Sequence, residues 1–128
     1  MDFKLGKDYS LKSRKEIDAL FEDGKRISSY PFVVFIVERE RSDEEHPFRI
    51  VFSAPKRTFR HAFQRNRIKR IMREAVRLNK HSFEEQLILR KRFINIFLIY
   101  SPKEEMKNEL LQKKINKLFT KILSSLHE

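Results

Sequence analysis

One segment, Phe93–Tyr100, limits the fold of this 128-residue chain more than any other. Seven of its eight residues are apolar, and Asn95 is the exception. Eight residues are enough for a β-strand and far too few to span a membrane. A strand that is apolar on both faces must be covered on both faces, so the segment predicts a central strand in a sheet.

Two other segments predict strands that join this one. Residues 32–37 and 48–53 consist mainly of β-branched and aromatic residues, which are enriched in strands. The polar residues 38–47 lie between them and predict a hairpin connection. In the first of the two segments, Phe32, Val34 and Ile36 alternate with Val33 and Phe35, so the two sets point to opposite faces of the sheet.

Three segments predict helices, over about 14–23, 63–79 and 102–126. The first begins at Ser13 with a glutamate three residues later, which is the spacing of a capping box. The last begins at Ser101, which is followed by a proline and a glutamate in the positions that start a helix.

The order of these elements predicts an α+β fold. Helix, strand, strand, helix, strand, helix is packed most simply as a two-layer sandwich, in which one small sheet is covered by helices on one side. We expect the third strand to lie parallel to the strand before the central helix, or nearly beside it, whereas the pattern leaves the strand order open. Residues 1–128 are expected to form a single domain, with 1–12 as a flexible basic arm.

The charge balance points to a polyanionic partner. The chain has 29 basic and 18 acidic residues, a net charge of +11, and no cysteine. Because such an excess of one sign causes self-repulsion, it favours a function in binding nucleic acid or an anionic surface. The lack of cysteine excludes disulfides and cysteine-based sites and fits the reducing cytoplasm, where we expect the protein to act.

The second predicted helix carries much of this charge. Residues 56–80 include ten basic residues and one acid. Within them a basic stripe recurs at steps of three and four, opposite the apolar residues that would face the sheet: Arg65, Lys69, Arg73, Arg77 and Lys80. Like charges at this spacing destabilise a helix. A phosphate backbone would relieve the repulsion, so the stripe predicts nucleic-acid binding without distinguishing RNA from DNA.

Groups that could perform catalysis are not recognisable in the sequence. There is no zinc motif, glycine-rich phosphate loop or convincing pair of carboxylates. The acidic run at 43–45 with His46 is better interpreted as a solvated turn than as a metal site. His61 and His81 flank the basic helix and are interpreted as phosphate neighbours or surface residues. We therefore expect no catalytic residue and no metal ligand from this chain.

The sequence RNRIKR at residues 65–70, followed by Arg73-Glu-Ala, resembles the Arg-Asn-Arg motif of the bacterial ribonuclease P protein family. Residues 11–24 are similar to the first helix of that family, and residues 53–57 to the segment that enters its RNA-binding loop. The resemblance therefore covers most of the chain. It implies an α+β fold with a left-handed βαβ crossover around the motif helix, against the usual right-handed rule.

The function that the resemblance implies is that of a protein cofactor subunit of a ribonucleoprotein. In that family the catalyst is an RNA, which removes the 5′ leader of precursor tRNA by hydrolysing one phosphodiester bond. Magnesium is held mainly by the RNA. The implied partners are the catalytic ribonuclease P RNA and precursor tRNA, with one protein per RNA and no membrane.

The resemblance also implies two sets of binding residues. The catalytic RNA would be bound by the motif helix and the turn before it, through Lys56, Arg57, Arg65, Asn66, Arg67, Lys69, Arg70 and Arg73. The 5′ leader would be bound by the first helix and first strand, through Ile17, Phe21, Val33 and Phe35. Aromatic rings suit this task because unpaired bases stack on them whatever the sequence. Ile17 stands where the family commonly has an aromatic residue, so apolar contact without stacking is expected there.

A non-catalytic RNA-binding module, such as a ribosomal protein or an RNA chaperone, is the alternative that the residues leave open. The same basic helix would serve it, but it has no need for a second, apolar face away from that helix. Membrane association is disfavoured, because the apolar side of the basic helix is needed for the core. A free-standing protein nuclease is disfavoured by the lack of catalytic groups.

Overall fold

The computed structural model describes residue 6, residues 9–39 and residues 46–126. Their secondary structure comprises α1 (Arg14–Asp23), β1 (Lys25–Ser29), β2 (Phe32–Arg39), β3 (Phe48–Ser53), α2 (Ala62–Leu89), β4 (Phe93–Tyr100) and α3 (Asn108–Ser125). The four strands form one mixed sheet in the order β1-β2-β4-β3. Within it, β4 is antiparallel to β2 and parallel to β3.

The central position predicted for β4 is confirmed. This strand pairs with β2 on one side and β3 on the other, and six of its eight residues are buried. Because β4 lies between β2 and β3, the predicted hairpin between those two strands is wrong. Consecutive strands usually pair with each other, but here β2 and β3 each pair with β4, which is apolar on both faces.

The unit β3-α2-β4 confirms the expected parallel arrangement around the central helix. The α+β class is also confirmed, and α2 and α3 pack on one face of the sheet and enclose the main core. That face carries alternate strand residues, among them Val34, Ile50 and Ile96. The expectation that helices cover only one side is wrong, because α1 packs on the other face. The left hand of the crossover stays a prediction.

Helix α1 lies against the opposite face of the sheet, where it packs on β2 and β4. Ser13 caps it by accepting a hydrogen bond from the backbone N–H of Glu16, at 3.3 Å. The Glu16 carboxylate accepts a hydrogen bond of 2.8 Å from the side-chain amide of the buried Asn95 on β4. Gly24 ends the helix, and a Cβ added there would lie 2.1 Å from the carbonyl oxygen of Leu20 and 3.1 Å from that of Ile36. Glycine therefore allows α1 to turn closely against β2.

Several elements differ from the predictions. Strand β1 was not predicted, because only Ile27 among its five residues is a strong strand former, and pairing with β2 decides its structure. Helix α2 continues to Leu89 because Phe83 and Leu87 extend its buried stripe.

Helix α3 begins at Asn108, not at 102. The Tyr100 hydroxyl donates a 2.6 Å hydrogen bond to the Glu104 carbonyl and accepts one of 3.0 Å from the Met106 N–H, which holds residues 101–107 outside the helix. Burial raises the pKa of Tyr100, so the phenol keeps its proton. The folding stability that the protonated phenol contributes is present below the usual tyrosine pKa. It is lost as pH rises through the raised pKa of Tyr100.

The predicted flexible arm is corrected at its end. Tyr9 and Leu11 are buried, and Ser10 forms a bridge with Ile50 at the β3 edge of the sheet. Residues 1–5, 7 and 8 lie outside the described residues, as does the acidic run at 43–45. His46 is described and stacks on the Tyr9 ring, with centroids 3.9 Å apart. In the part of the chain that the structure describes, no helix is long and apolar enough to cross a membrane.

Candidate nucleic-acid interface

The first turns of α2 carry a basic surface, which we call the basic face and define as Asn66, Arg67, Lys69, Arg70 and Arg73. With Phe63, these residues line an open depression of about 530 Å³. Asn66, Arg67, Arg70 and Arg73 are exposed, and Lys69 is half-buried. The opposite side of the same turns, including Ile68 and Met72, is buried in the core. Packing therefore fixes the helix while its cations point outward.

Arg65 has an internal role that its place in the motif did not predict. Its guanidinium donates hydrogen bonds to the carbonyls of Phe59 and Arg60, at 2.8 and 2.9 Å. Phe59 is buried and lies against the Tyr100 ring, with centroids 5.9 Å apart. Arg65 thus fastens the loop before α2 to the first turn of the helix.

Lys56 and Arg57 lie in the turn that opens this loop. Both are exposed, and the turn is closed by the N–H groups of Thr58 and Phe59, which donate to the Pro55 carbonyl at 3.2 and 2.9 Å. Their cations are therefore carried on an ordered backbone close to α2.

Arg67 is paired within the protein. Its guanidinium makes two parallel hydrogen bonds, of 2.5 and 2.9 Å, with the carboxylate of Glu105 before α3. Both side chains remain partly exposed. An exposed ion pair of this kind contributes at most about 1 kcal/mol. Arg67 can therefore exchange Glu105 for a phosphate at small cost.

The far end of the predicted stripe does not belong to the basic face. Arg77 forms an ion pair with Glu74, whose pKa is lowered by the hydrogen bond from Arg77, so the pair stays ionised and locally neutral. Lys80 is buried beside Tyr9, and its ammonium contacts the carboxylate of Glu84 at 3.0 Å. The predicted continuity to Lys80 is therefore wrong, because that residue anchors the N-terminal segment to α2.

A second surface lies on the opposite face of the sheet, and we call it the aromatic face: Phe21 of α1, Phe35 of β2 and Phe97 of β4. The Phe21 ring lies 5.0 Å from the Phe35 ring and 4.8 Å from the Phe97 ring, measured between centroids. Phe21 is 51% exposed, although it makes both contacts. The predicted residues Ile17 on α1 and Val33 on β2 are both half-buried.

Sequence reasoning missed two aromatic residues at these surfaces. Phe97 on β4 pairs with Phe35 on β2, and it joins the aromatic face only because the strand order places β4 beside β2. Phe63 lies in the depression of the basic face and is 65% exposed. Its signal was available, because it precedes Asn66 by three residues and Arg67 by four on a predicted helix.

The described residues contain no cluster of three or more histidine and carboxylate side chains that could hold a metal ion. The basic face, which is rich in guanidinium and ammonium groups, would repel a cation.

These two surfaces occur in a chain whose sequence matches a known family. The family model described as Ribonuclease P matches residues 5–123. The chain belongs to the ribonuclease P protein family. The resemblance carried by the Arg-Asn-Arg motif is thereby confirmed.

Relatives agree with this assignment, and solved structures share the fold. The ribonuclease P protein component of Pseudoalteromonas translucida is 32% identical over 121 residues, covering 94% of this chain and 79% of the relative. That of Porphyromonas gingivalis is 39% identical over 101 residues, covering 77% and 72%. The RNase P protein from Thermotoga maritima shares the fold with a TM-score of 0.69 at 21% identity, covering 88% of this chain and 96% of that chain. A Staphylococcus aureus RNase P protein gives 0.66 at 22% identity, covering 93% and 98%.

Proposed function

We propose that this chain is the protein cofactor subunit of a ribonuclease P ribonucleoprotein, binding one catalytic RNA through the basic face with Lys56 and Arg57. Family membership supports this role. The observation that carries it is the presence of two unlike surfaces on opposite sides of the sheet, one cationic and one aromatic. A single RNA contact would need only the first.

The aromatic face is proposed to hold the 5′ leader of precursor tRNA. The Phe21 ring contacts both other rings and is half exposed, so it offers a flat apolar surface to an unpaired base. Stacking contributes about 1–3 kcal/mol per base and tolerates any sequence. Leaders of different sequence could therefore be bound by the same residues, with Ile17 and Val33 adding apolar contact beside the rings.

The chemistry of cleavage is proposed to reside in the RNA. When bound there, magnesium would activate water and offset charge at the scissile phosphate. The described residues hold no metal-ligand cluster, and the cations of the basic face suit phosphate oxygens. The chain's own contribution would be to neutralise phosphates of the catalytic RNA and to hold the leader, which raises affinity for precursor tRNA at low magnesium. We place this activity in the cytoplasm.

Reconstitution of the enzyme tests this proposal. Precursor tRNA is incubated with a bacterial ribonuclease P RNA at low millimolar magnesium, with and without the protein. We expect cleavage at the mature 5′ end to depend on the protein. Polylysine at equal total positive charge is the control, because it supplies neutralisation without a leader surface.

Tight binding of the RNA without stimulation of cleavage would contradict the subunit role and favour the non-catalytic RNA-binding module. Equal stimulation by polylysine would show that only unspecific charge is involved. Stimulation by the folded protein alone would support the proposal.

A further inference from the structure

Phe63 is an exposed aromatic residue at the start of α2 that the RNA-binding motif does not include. Its side chain is 65% exposed, whereas Ile68 and Met72 on the same helix are almost fully buried. A single exposed apolar residue on a protein surface is common and needs no explanation. The surroundings of Phe63 are what set it apart.

The ring lies in the depression of the basic face, where every other lining residue is polar or cationic. On a helix, Phe63 shares one side with Asn66, Arg67 and Arg70, which follow it by three, four and seven residues. A flat apolar surface is thus bordered by groups that bind phosphates. Phosphates and an aromatic base lie a few ångströms apart in one nucleotide, so the arrangement matches the chemistry of a nucleotide.

His61 enlarges this surface. Its ring lies nearly parallel to that of Phe63, with an interplanar angle of 17° and centroids 5.5 Å apart. Phe63 also lies in the first turn of α2, where the helix dipole favours a nearby phosphate. The side chain itself contributes no charge, so its contact with RNA would be independent of counterion release.

We propose that the Phe63 ring stacks on one unpaired base of the catalytic RNA, while the neighbouring basic residues bind the adjoining phosphates. This inference rests on the proposed function, since it assigns a specific contact to the same RNA partner. A base inside a duplex is stacked on its neighbours and cannot reach the ring. The RNA contacted at Phe63 is therefore single-stranded, a loop or bulge.

Affinity measured at several salt concentrations separates stacking from charge. The probe is an in vitro transcribed bacterial ribonuclease P RNA, titrated with the wild-type protein and with Phe63→Ala, Phe63→Leu, Arg70→Ala and Leu89→Ala. We expect Phe63→Ala to weaken binding roughly 5- to 100-fold with an unchanged salt slope. Arg70→Ala should weaken binding and flatten the slope by about one unit.

Two of these variants serve as matched controls. Leu89→Ala removes an apolar side chain that is 74% exposed at the other end of α2, and it should bind like the wild type. Phe63→Leu keeps the apolar bulk but removes the ring, so it should lose nearly as much affinity as Phe63→Ala. Wild-type affinity of Phe63→Leu would overturn the stacking proposal and leave only apolar contact.

Fluorescence gives a direct readout, because the chain contains no tryptophan. Phe63→Trp should retain affinity, and its emission should be quenched when a base stacks on the indole. Leu89→Trp should keep its emission in the same titration. Equal emission changes in the two variants would contradict stacking at position 63.

The outcomes distinguish this inference from the proposed function. If Phe63→Ala binds like the wild type while Arg70→Ala binds weakly, the stacking contact is wrong and the basic face stands. If neither variant loses affinity, the assignment of the whole basic face is wrong. Circular dichroism and the melting temperature establish that the variants are folded.

Discussion

The basic face and the aromatic face are built in opposite ways. The basic face comes from one continuous stretch of α2, whose residues lie at helical spacing and whose cations point away from the core. The aromatic face joins Phe21, Phe35 and Phe97, which are contributed by three elements separated along the chain. The first surface is local in sequence, and the second exists only after folding.

The two surfaces should therefore respond differently to the loss of one side chain. Removing one cation from the basic face leaves its neighbours on the same helix in place, so the loss should be partial. On the aromatic face, Phe21 contacts both other rings, so its loss should disturb the whole surface. The two surfaces should also respond differently to salt, because only one of them works through charge.

The largest effect is expected from removing two cations of the basic face. The double variant Arg70→Ala with Arg73→Ala should bind catalytic RNA roughly 100-fold more weakly, with the salt slope reduced by about two units. The physical reason is the loss of two phosphate contacts and of the counterions they release. Affinity measured at four or more salt concentrations checks both numbers.

A charge-matched control is available on α3. Lys113→Ala with Lys117→Ala removes the same charge from exposed positions on another helix. If that variant loses as much affinity as the first, net charge and not the basic face determines binding, and the comparison between the two surfaces fails.

A smaller effect is expected from the aromatic face. Phe21→Ala should weaken binding of precursor tRNA to the reconstituted enzyme by about tenfold, within the range for one stacked base, and should leave mature tRNA unaffected. Tyr30→Ala is the control, because Tyr30 is 66% exposed and lies outside the aromatic face. If a folded Phe21→Ala variant lost equal affinity for both tRNAs, the aromatic face would not be the binding site of the leader.

The smallest effect is expected at Glu105, which is paired with Arg67. Glu105→Gln removes an acid near the basic face and releases the guanidinium, so RNA binding should tighten about two- to fivefold, as expected for an exposed ion pair. The melting temperature should change little. Weaker RNA binding by this variant would show instead that Glu105 positions Arg67 for its partner.

Much of the fold was predictable where local signals agree with the tertiary structure. The bounds of α1 follow from Ser13 and Gly24, and those of β4 from its apolar residues. The signals at Ser101 were equally strong and misled, because hydrogen bonds to the Tyr100 hydroxyl outweigh a local helix start. Strand β1 gave almost no local signal, because only Ile27 among its residues is a strong strand former. Its pairing with β2 supplies the stability.

The two candidate surfaces also differ in how far local sequence signals predict them. The basic side of α2 was predictable from the sequence, because the spacing of charges on a helix fixes which side they share. Three features depend on the folded chain: Arg65 fastens a loop, Lys80 is buried, and Phe97 lies beside Phe21. Helical periodicity acts within a few residues, whereas strand order and burial depend on contacts between segments far apart in the chain, and these form only when the whole chain has folded.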